Sequence, residues 1–204
     1  MSNKYLCVNF LSLIICFTAF LHEPLKAQQP PTPSSQTNMT PAPNATQQST
    51  TEANPADVAS MDAIIKSVYS VISGDAGVKR DWNRFRSLFY PGARLIPTGK
   101  NREGKIGGRV ITPEEYIERS GPFLEKEGFH EREIARRVET FGHITHVFST
   151  YDSKHKVSDE KPFARGINSI QLFNDGKRWW VLTIAWSSET PDAPIPNKYL
   201  KNDE

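Results

Sequence analysis

Two imidazoles lie three residues apart in the stretch His143-Ile144-Thr145-His146. Successive side chains of an extended chain point to opposite faces, so this odd offset separates the rings and they cannot hold one ion together. His130 and His155 fall at the far ends of their β-rich segments. No metal site and no cofactor are expected. Gly-x-Ser-x-Gly does not occur, which excludes a serine on that elbow. Gly104-Lys105-Ile106-Gly107-Gly108 lacks the Lys-Ser/Thr ending of a phosphate loop and reads as a flexible loop. Two constellations survive. Glu139 and His146 become cross-strand neighbours if Gly142-His143 is a hairpin turn, and a carboxylate orienting an imidazole is the core of a general base. On a solvated face the same pair is only a weak ion pair. Asn168 and Thr183 are polar residues in a hairpin that is otherwise apolar on both sides; they either line a site or satisfy one another in a core.

These side chains need elements to position them. Asp57 is read as an N-cap for a helix in which Met61, Ile64, Ile65, Val68 and Ile72 recur at helical spacing, closed by Gly74. Asp81 caps a short second helix with Trp82, Phe85, Leu88 and Phe89 on one face, stopped by Pro91. "ARLIPTG" is a short strand. Thr112-Pro113-Glu114-Glu115 is a capping box that starts a third helix, kinked or broken at Gly121-Pro122 and ended by Gly128. From Phe129 onward the chain is β-rich. Gly142-His143 and Asp175-Gly176 centre two hairpin turns, giving four long antiparallel strands after the helices. The order is α+β and not a βαβ repeat.

The ends differ from this middle. Lys4 precedes an apolar run from Tyr5 to Leu21, with Ala27 as a small residue at the expected cleavage point, so residues 1–27 read as a signal peptide and the protein as exported, periplasmic or extracellular. An uncleaved membrane anchor is the alternative. Cys7 and Cys16 both fall there, leaving the exported protein without disulfides or thiol chemistry. Residues 28–56 carry no aromatic or branched aliphatic side chain and read as a disordered linker. Residues 57–192 are one domain and 193–204 a tail. With 25 Lys and Arg against 23 Asp and Glu, and no basic block, nucleic acid is not an expected partner; nor is a membrane once the leader is removed.

The segments "VETFGHITHVFSTYD", "ARGINSIQLFNDGKRWWVLTIAW" and "AIIKSVYSVISG…DWNRFRSLFYPGARLIP" resemble an exported branch of the nuclear-transport-factor-2-like, SnoaL-like superfamily. The resemblance spans the whole domain. It implies a cone, a curved antiparallel sheet wrapped around three N-terminal helices, with a pocket at the open end for a small hydrophobic ligand. Family members include isomerases, cyclases, epoxide hydrolases, binders and dimerisation modules, so it leaves a ligand-binding domain, an acid–base enzyme on a carbonyl or epoxide, and an interaction module all open. It implies that Trp179, Val181, Thr183 and Ala185 face inward, which places Asn168 and Thr183 together near Tyr151 and Tyr116. Isomerases of this fold use a pocket aspartate with a tyrosine donor; Leu95-Ile96-Pro97 holds no acid where that base is expected, although Tyr69 or Tyr116 could donate. The opposite face would carry Trp180, Leu182, Ile184 and Trp186 with Arg165 beside them, an apolar patch covered by a second copy in a homodimer or by the tail "PDAPIPNKYL".

Overall fold

The computed structural model describes residues 52–101 and 103–202. The expected signal peptide and most of the expected linker lie outside the described residues. The folded part begins earlier than residue 57: Ala53 is buried, and α1 (Pro55–Val58) is capped by the Asn54 side chain.

Asp57 is not the cap of the first long helix. That role falls to Ser60, whose side chain accepts from Ala63 N at the start of α2 (Met61–Ile72). Asp57 is instead buried and accepts two bonds from Arg84, at 2.7 and 2.8 Å, and one from Ser67 at 2.9 Å. Those bonds, Arg84 first, hold its carboxyl below the usual range against the opposing cost of burial. Asp81 caps α3 (Trp82–Ser87) as expected. Pro91 stops nothing: β1 (Phe89–Lys100) runs through it and pairs with the short β2 (Ile106–Gly108). The Thr112 capping box opens α4 (Pro113–Glu127), which continues unbroken through Gly121-Pro122. Gly121 lets α4 approach α3, since a Cβ there would stand 3.1 Å from the Trp82 ring. Gly128, at φ 74°, ends the helix.

β3 (His130–Phe141), β4 (Ile144–Lys154), β5 (Ala164–Asn174) and β6 (Trp179–Ser188) follow as antiparallel neighbours. The six strands form one curved, unclosed sheet in the order β2-β1-β6-β5-β4-β3. It is mixed and not wholly antiparallel, because β1 runs parallel to β6. The class is α+β, and the helices lie against one sheet face, the inner one. Ile64, Ile65 and Val68 of α2 pack in one core with Val147, Ile170 and Ile184 of the sheet.

Two single-residue bulges decide which side chains reach that inner face. In β3–β4 the expected register holds from Phe141↔Ile144 to Arg136↔Ser149. Ile134 then drops out of the ladder, so Tyr151 pairs with Glu133 and Ser153 with Glu131. In β5–β6 the extra residue is Leu182: Leu172 pairs with Val181, but Gln171 pairs with Thr183 and Asn168 with Trp186. A slip of one residue exchanges the two faces of everything beyond it. Glu131 and Glu133 therefore join Tyr151 inside, and so do Ile184 and Trp186.

Part of the outer face of β3 and β4 is covered by the chain's own tail. After the 3₁₀ turn Asn197–Tyr199, the Tyr199 ring meets Phe148 at 5.0 Å between centroids, and Thr150 Oγ1 donates to Tyr199 O at 2.6 Å. The tail covers this part of the face, one of the two coverings expected for it.

Candidate functional site

Between the inner sheet face and helices α2 and α4 lies a cavity of about 330 Å³, a volume suited to a small organic molecule. Its walls are aromatic. Phe85 stacks on Tyr116, with centroids 5.4 Å apart and planes at 17°, and Tyr116 meets the edge of Trp186 at 6.3 Å. Three polar groups from the sheet face the cavity: Glu131 of β3, Tyr151 of β4 and Asn168 of β5. Arg119 of α4 lines it too and is exposed.

Glu131 is the chemical centre of this arrangement. Its Oε2 accepts from Ser153 Oγ at 2.8 Å, and Asn168 Nδ2 stands 3.5 Å from its Oε1. No cation is paired with it among the described residues. Burial pushes its carboxyl up to about 7; the bonds from Ser153 and Asn168 oppose the rise, and the nearby Asp152 adds to it. The Tyr116 phenol is raised by burial first and then by the charge of Glu131, so it stays a neutral donor.

A hydrogen-bonded chain supports this centre from behind. Asn168 Nδ2 donates to Tyr69 Oη at 3.1 Å. Tyr69 Oη and Ser149 Oγ are 2.6 Å apart, and Ser149 Oγ donates to Glu133 Oε1 at 2.6 Å. Glu133 Oε2 lies 3.0 Å from Arg136 Nε, and Arg136 reaches Asp62 at 2.7 Å. Ser149 is fully buried, so its hydroxyl must have both partners.

The expected site residues divide sharply. Tyr116, Tyr151 and Asn168 come together on the cavity. Thr183 does not: the Leu182 bulge turns it to the outer face opposite Gln171. Ile184 and Trp186, expected outside at an interface, line the cavity instead. Arg165 pairs with Glu189 at 2.7 Å and not with Trp186. Trp180 remains outside, with the Arg178 guanidinium 3.5 Å over its ring and Tyr90 edge-on at 5.6 Å. Glu139 and His146 are register partners, but they are 4.0 Å apart and the Glu139 side chain is 87% exposed. His146 Nε2 pairs with Ser169 Oγ on that outer face, so the dyad belongs to the surface. The carboxyl group that lines the same cavity as Leu95 is that of Glu131, which the sequence pattern would have placed on the other face.

Gly166 makes room for one wall. A Cβ there would come within 2.4 Å of both Tyr151 Oη and Ser187 O. Because the second contact is backbone, the strand itself would have to move. Gly166→Ala is expected to cost about 1–3 kcal/mol through overpacking. It should also part Tyr151 from Ser188, 3.3 Å away. Urea unfolding reads the first effect and the Tyr151 side-chain resonances the second.

No family model matches the chain, and no curated protein matches it. Among solved structures it is similar to LinA, at 15% identity and a TM-score of 0.46 over 67% of this chain and 90% of that one. It is similar to a protein with a cystatin-like fold from Caulobacter vibrioides, at 14% identity and a TM-score of 0.46, covering 65% and 89% of the two chains. A third similarity is to an NTF2-like protein of unknown function from Shewanella baltica OS155, at 16% identity and a TM-score of 0.39, covering 62% and 89%.

Proposed function

We propose that the domain binds a small, largely apolar molecule bearing one hydrogen-bonding group, and that Glu131 meets that group as a proton donor or acceptor. The N-terminal sequence pattern supports placing this activity outside the cytoplasm. One observation carries the reading: a carboxyl group without a cation faces an aromatic cavity, at a site where a structural core would favour an apolar side chain. A carboxyl near 7 can hold or release a proton at neutral pH. Tyr116 and Tyr151 remain neutral, their phenols raised chiefly by burial, and could donate to a carbonyl oxygen beside it. The chemistry suited to this set is proton transfer next to a carbonyl.

Neutral aryl ketones are the direct probe. Binding is read from quenching of tryptophan emission, to which Trp186 on the cavity contributes, and proton transfer from loss of deuterium at the α-carbon by NMR. Glu131→Gln should retain binding and slow exchange by roughly 10²–10⁴-fold, the usual worth of a general base. If ketones bind and no exchange occurs, the site is a binder without this reaction. If no member of an apolar panel binds, the reading fails.

A further inference from the structure

Glu131 borders two cavities. Besides the inner pocket, a groove of about 470 Å³ runs between α2 and the edge strand β3. Among the described residues, Glu131 alone lines both. The two flanks differ in kind. On the groove side α2 presents Asp62, Lys66 and Tyr69, and β3 presents His130, Arg132, Glu133 and Arg136. β4 adds Asp152 and Lys154 there. On the pocket side the polar groups are Tyr116, Arg119 and Ser120 of α4, Tyr151 of β4 and Asn168 of β5, set in aromatic and aliphatic walls. An apolar ligand filling the pocket would take water from one flank of Glu131 and leave the charged, open flank untouched.

We propose that Glu131 exchanges its proton with solvent through the α2–β3 groove, on the side opposite to the ligand. The proposal rests on the ligand-binding reading of the inner pocket. The buried network offers no other path. Asn168 Nδ2 is the donor toward both Tyr69 Oη and Glu131, and an amide nitrogen does not pass a proton along. The hydroxyl chain from Tyr69 through Ser149 to Glu133 is thus not joined to Glu131 by a transferable proton. Ser153 Oγ is buried and donates only to Glu131. A carboxylate that takes a deuteron from the ligand's α-carbon becomes the neutral acid and leaves an enolate. The acid trades that deuteron for a proton of a groove water and then returns the proton to the α-carbon, ending as the carboxylate beside the protiated ketone. The ligand can stay in place throughout.

The test follows the Glu131 carboxyl carbon by NMR against pH in the full chain without any ligand, so it does not depend on the pocket's occupant. Ser120→Trp fills the pocket side, where Ser120 lines the wall. Lys66→Trp covers the groove, and Lys66→Met removes the same charge without covering it. Val157→Trp, at a loop position 72% exposed, is a second cover should Lys66→Trp fail to fold. With the pocket side filled by Ser120→Trp, the groove is the last wet flank of the carboxyl, and covering it raises the midpoint. In that background Lys66→Trp should titrate about one unit or more above Lys66→Met, with Ser120→Trp itself within about half a unit of wild type. A comparable rise in Ser120→Trp, or no rise with either groove cover, overturns the proposal. Failure of aryl ketones to bind would instead overturn the ligand reading while leaving these midpoints as they are.

Discussion

Glu131→Gln is expected to stabilise the domain at pH 8 by about 2–3 kcal/mol and to leave its stability unchanged at pH 4. Burial raises the folded-state carboxyl to about 7 from its ordinary value of 4.5. Below 4.5 both folded and unfolded chains hold the proton, and the buried neutral acid costs little. As pH rises, the unfolded chain ionises first and the folded chain resists, so stability falls progressively up to about pH 7 and then levels. A shift of this size is worth roughly 3 kcal/mol. Glutamine is neutral throughout and keeps an acceptor for Ser153 Oγ, so the fall should largely disappear. A smaller slope of the same sign should persist, because burial also raises the Glu133 carboxyl. Urea unfolding between pH 4 and pH 8.5 measures both. A difference between wild type and Glu131→Gln that is constant with pH would show that Glu131 is not held as a raised acid. A stability gain accompanied by loss of proton transfer would show that the fold bears an unfavourable charge for its chemistry.

The parts of this fold that could be read in advance are those whose causes are local. The Asp81 cap, the Thr112–Glu115 capping box and the Gly128 terminus each follow from a few adjacent residues, and all three stand as expected. The Gly142-His143 turn does too, with positive φ at Gly142. The second turn is longer than the expected Asp175-Gly176 pair: Asn174 pairs with Trp179 and residues 175–178 form the loop, with positive φ at Gly176. Asp57 misled because its partner Arg84 is 27 residues away, so its buried ion pair leaves no local trace. The site was half legible for a related reason. Tyr116, Tyr151 and Asn168 were placed correctly, because none lies beyond a bulge when counted from the elements that carry it. Glu131 and Trp186 lie beyond Ile134 and Leu182, and no residue type marks those two as the ones to leave the ladder. Bulges bend and twist a strand. Here the curvature of the whole sheet around α2 selects them, and that is a property of the packed molecule. Both errors have one origin, and correcting it both brings a carboxyl group to the cavity and moves two large apolar side chains off the outer face. What survives of the expected outer patch is Trp180 with Leu182, and Trp180 already packs against Arg178 and Tyr90.

Arg80→Met should cost about 3–5 kcal/mol, because several carbonyls lose their donor at once and each buried acceptor left unsatisfied costs about 1–3 kcal/mol. Arg80 is only 7% exposed and acts as a clamp on backbone carbonyls. Nε donates to Ile72 O at 3.0 Å, Nη2 to Gly74 O at 2.6 Å and to Leu124 O at 2.9 Å, and Nη1 to Val78 O. Its own amide donates to Glu125 Oε1 at 3.2 Å. These carbonyls belong to the C-terminal end of α2, the loop after it, and the last turns of α4, where helix carbonyls have no partners of their own. Gly74 permits the approach, since a Cβ there would stand 2.6 Å from Nη1. Methionine fills much of the same volume but removes the guanidinium donor from the buried Ile72 and Leu124 carbonyls and from Val78 O, while Gly74 O keeps the Phe129 amide at 3.0 Å. Lysine restores the charge without the planar fork and should recover only part of the loss. The damage should extend to the ligand site, because Ile72 and Leu124 both line the inner pocket and Arg80 sets the spacing of the helices that carry them. Urea unfolding measures the stability loss, and aryl ketone binding at low denaturant measures the second effect. An Arg80→Met protein with wild-type stability would mean that water replaces the guanidinium at these carbonyls, and that the pocket is framed by side-chain packing alone.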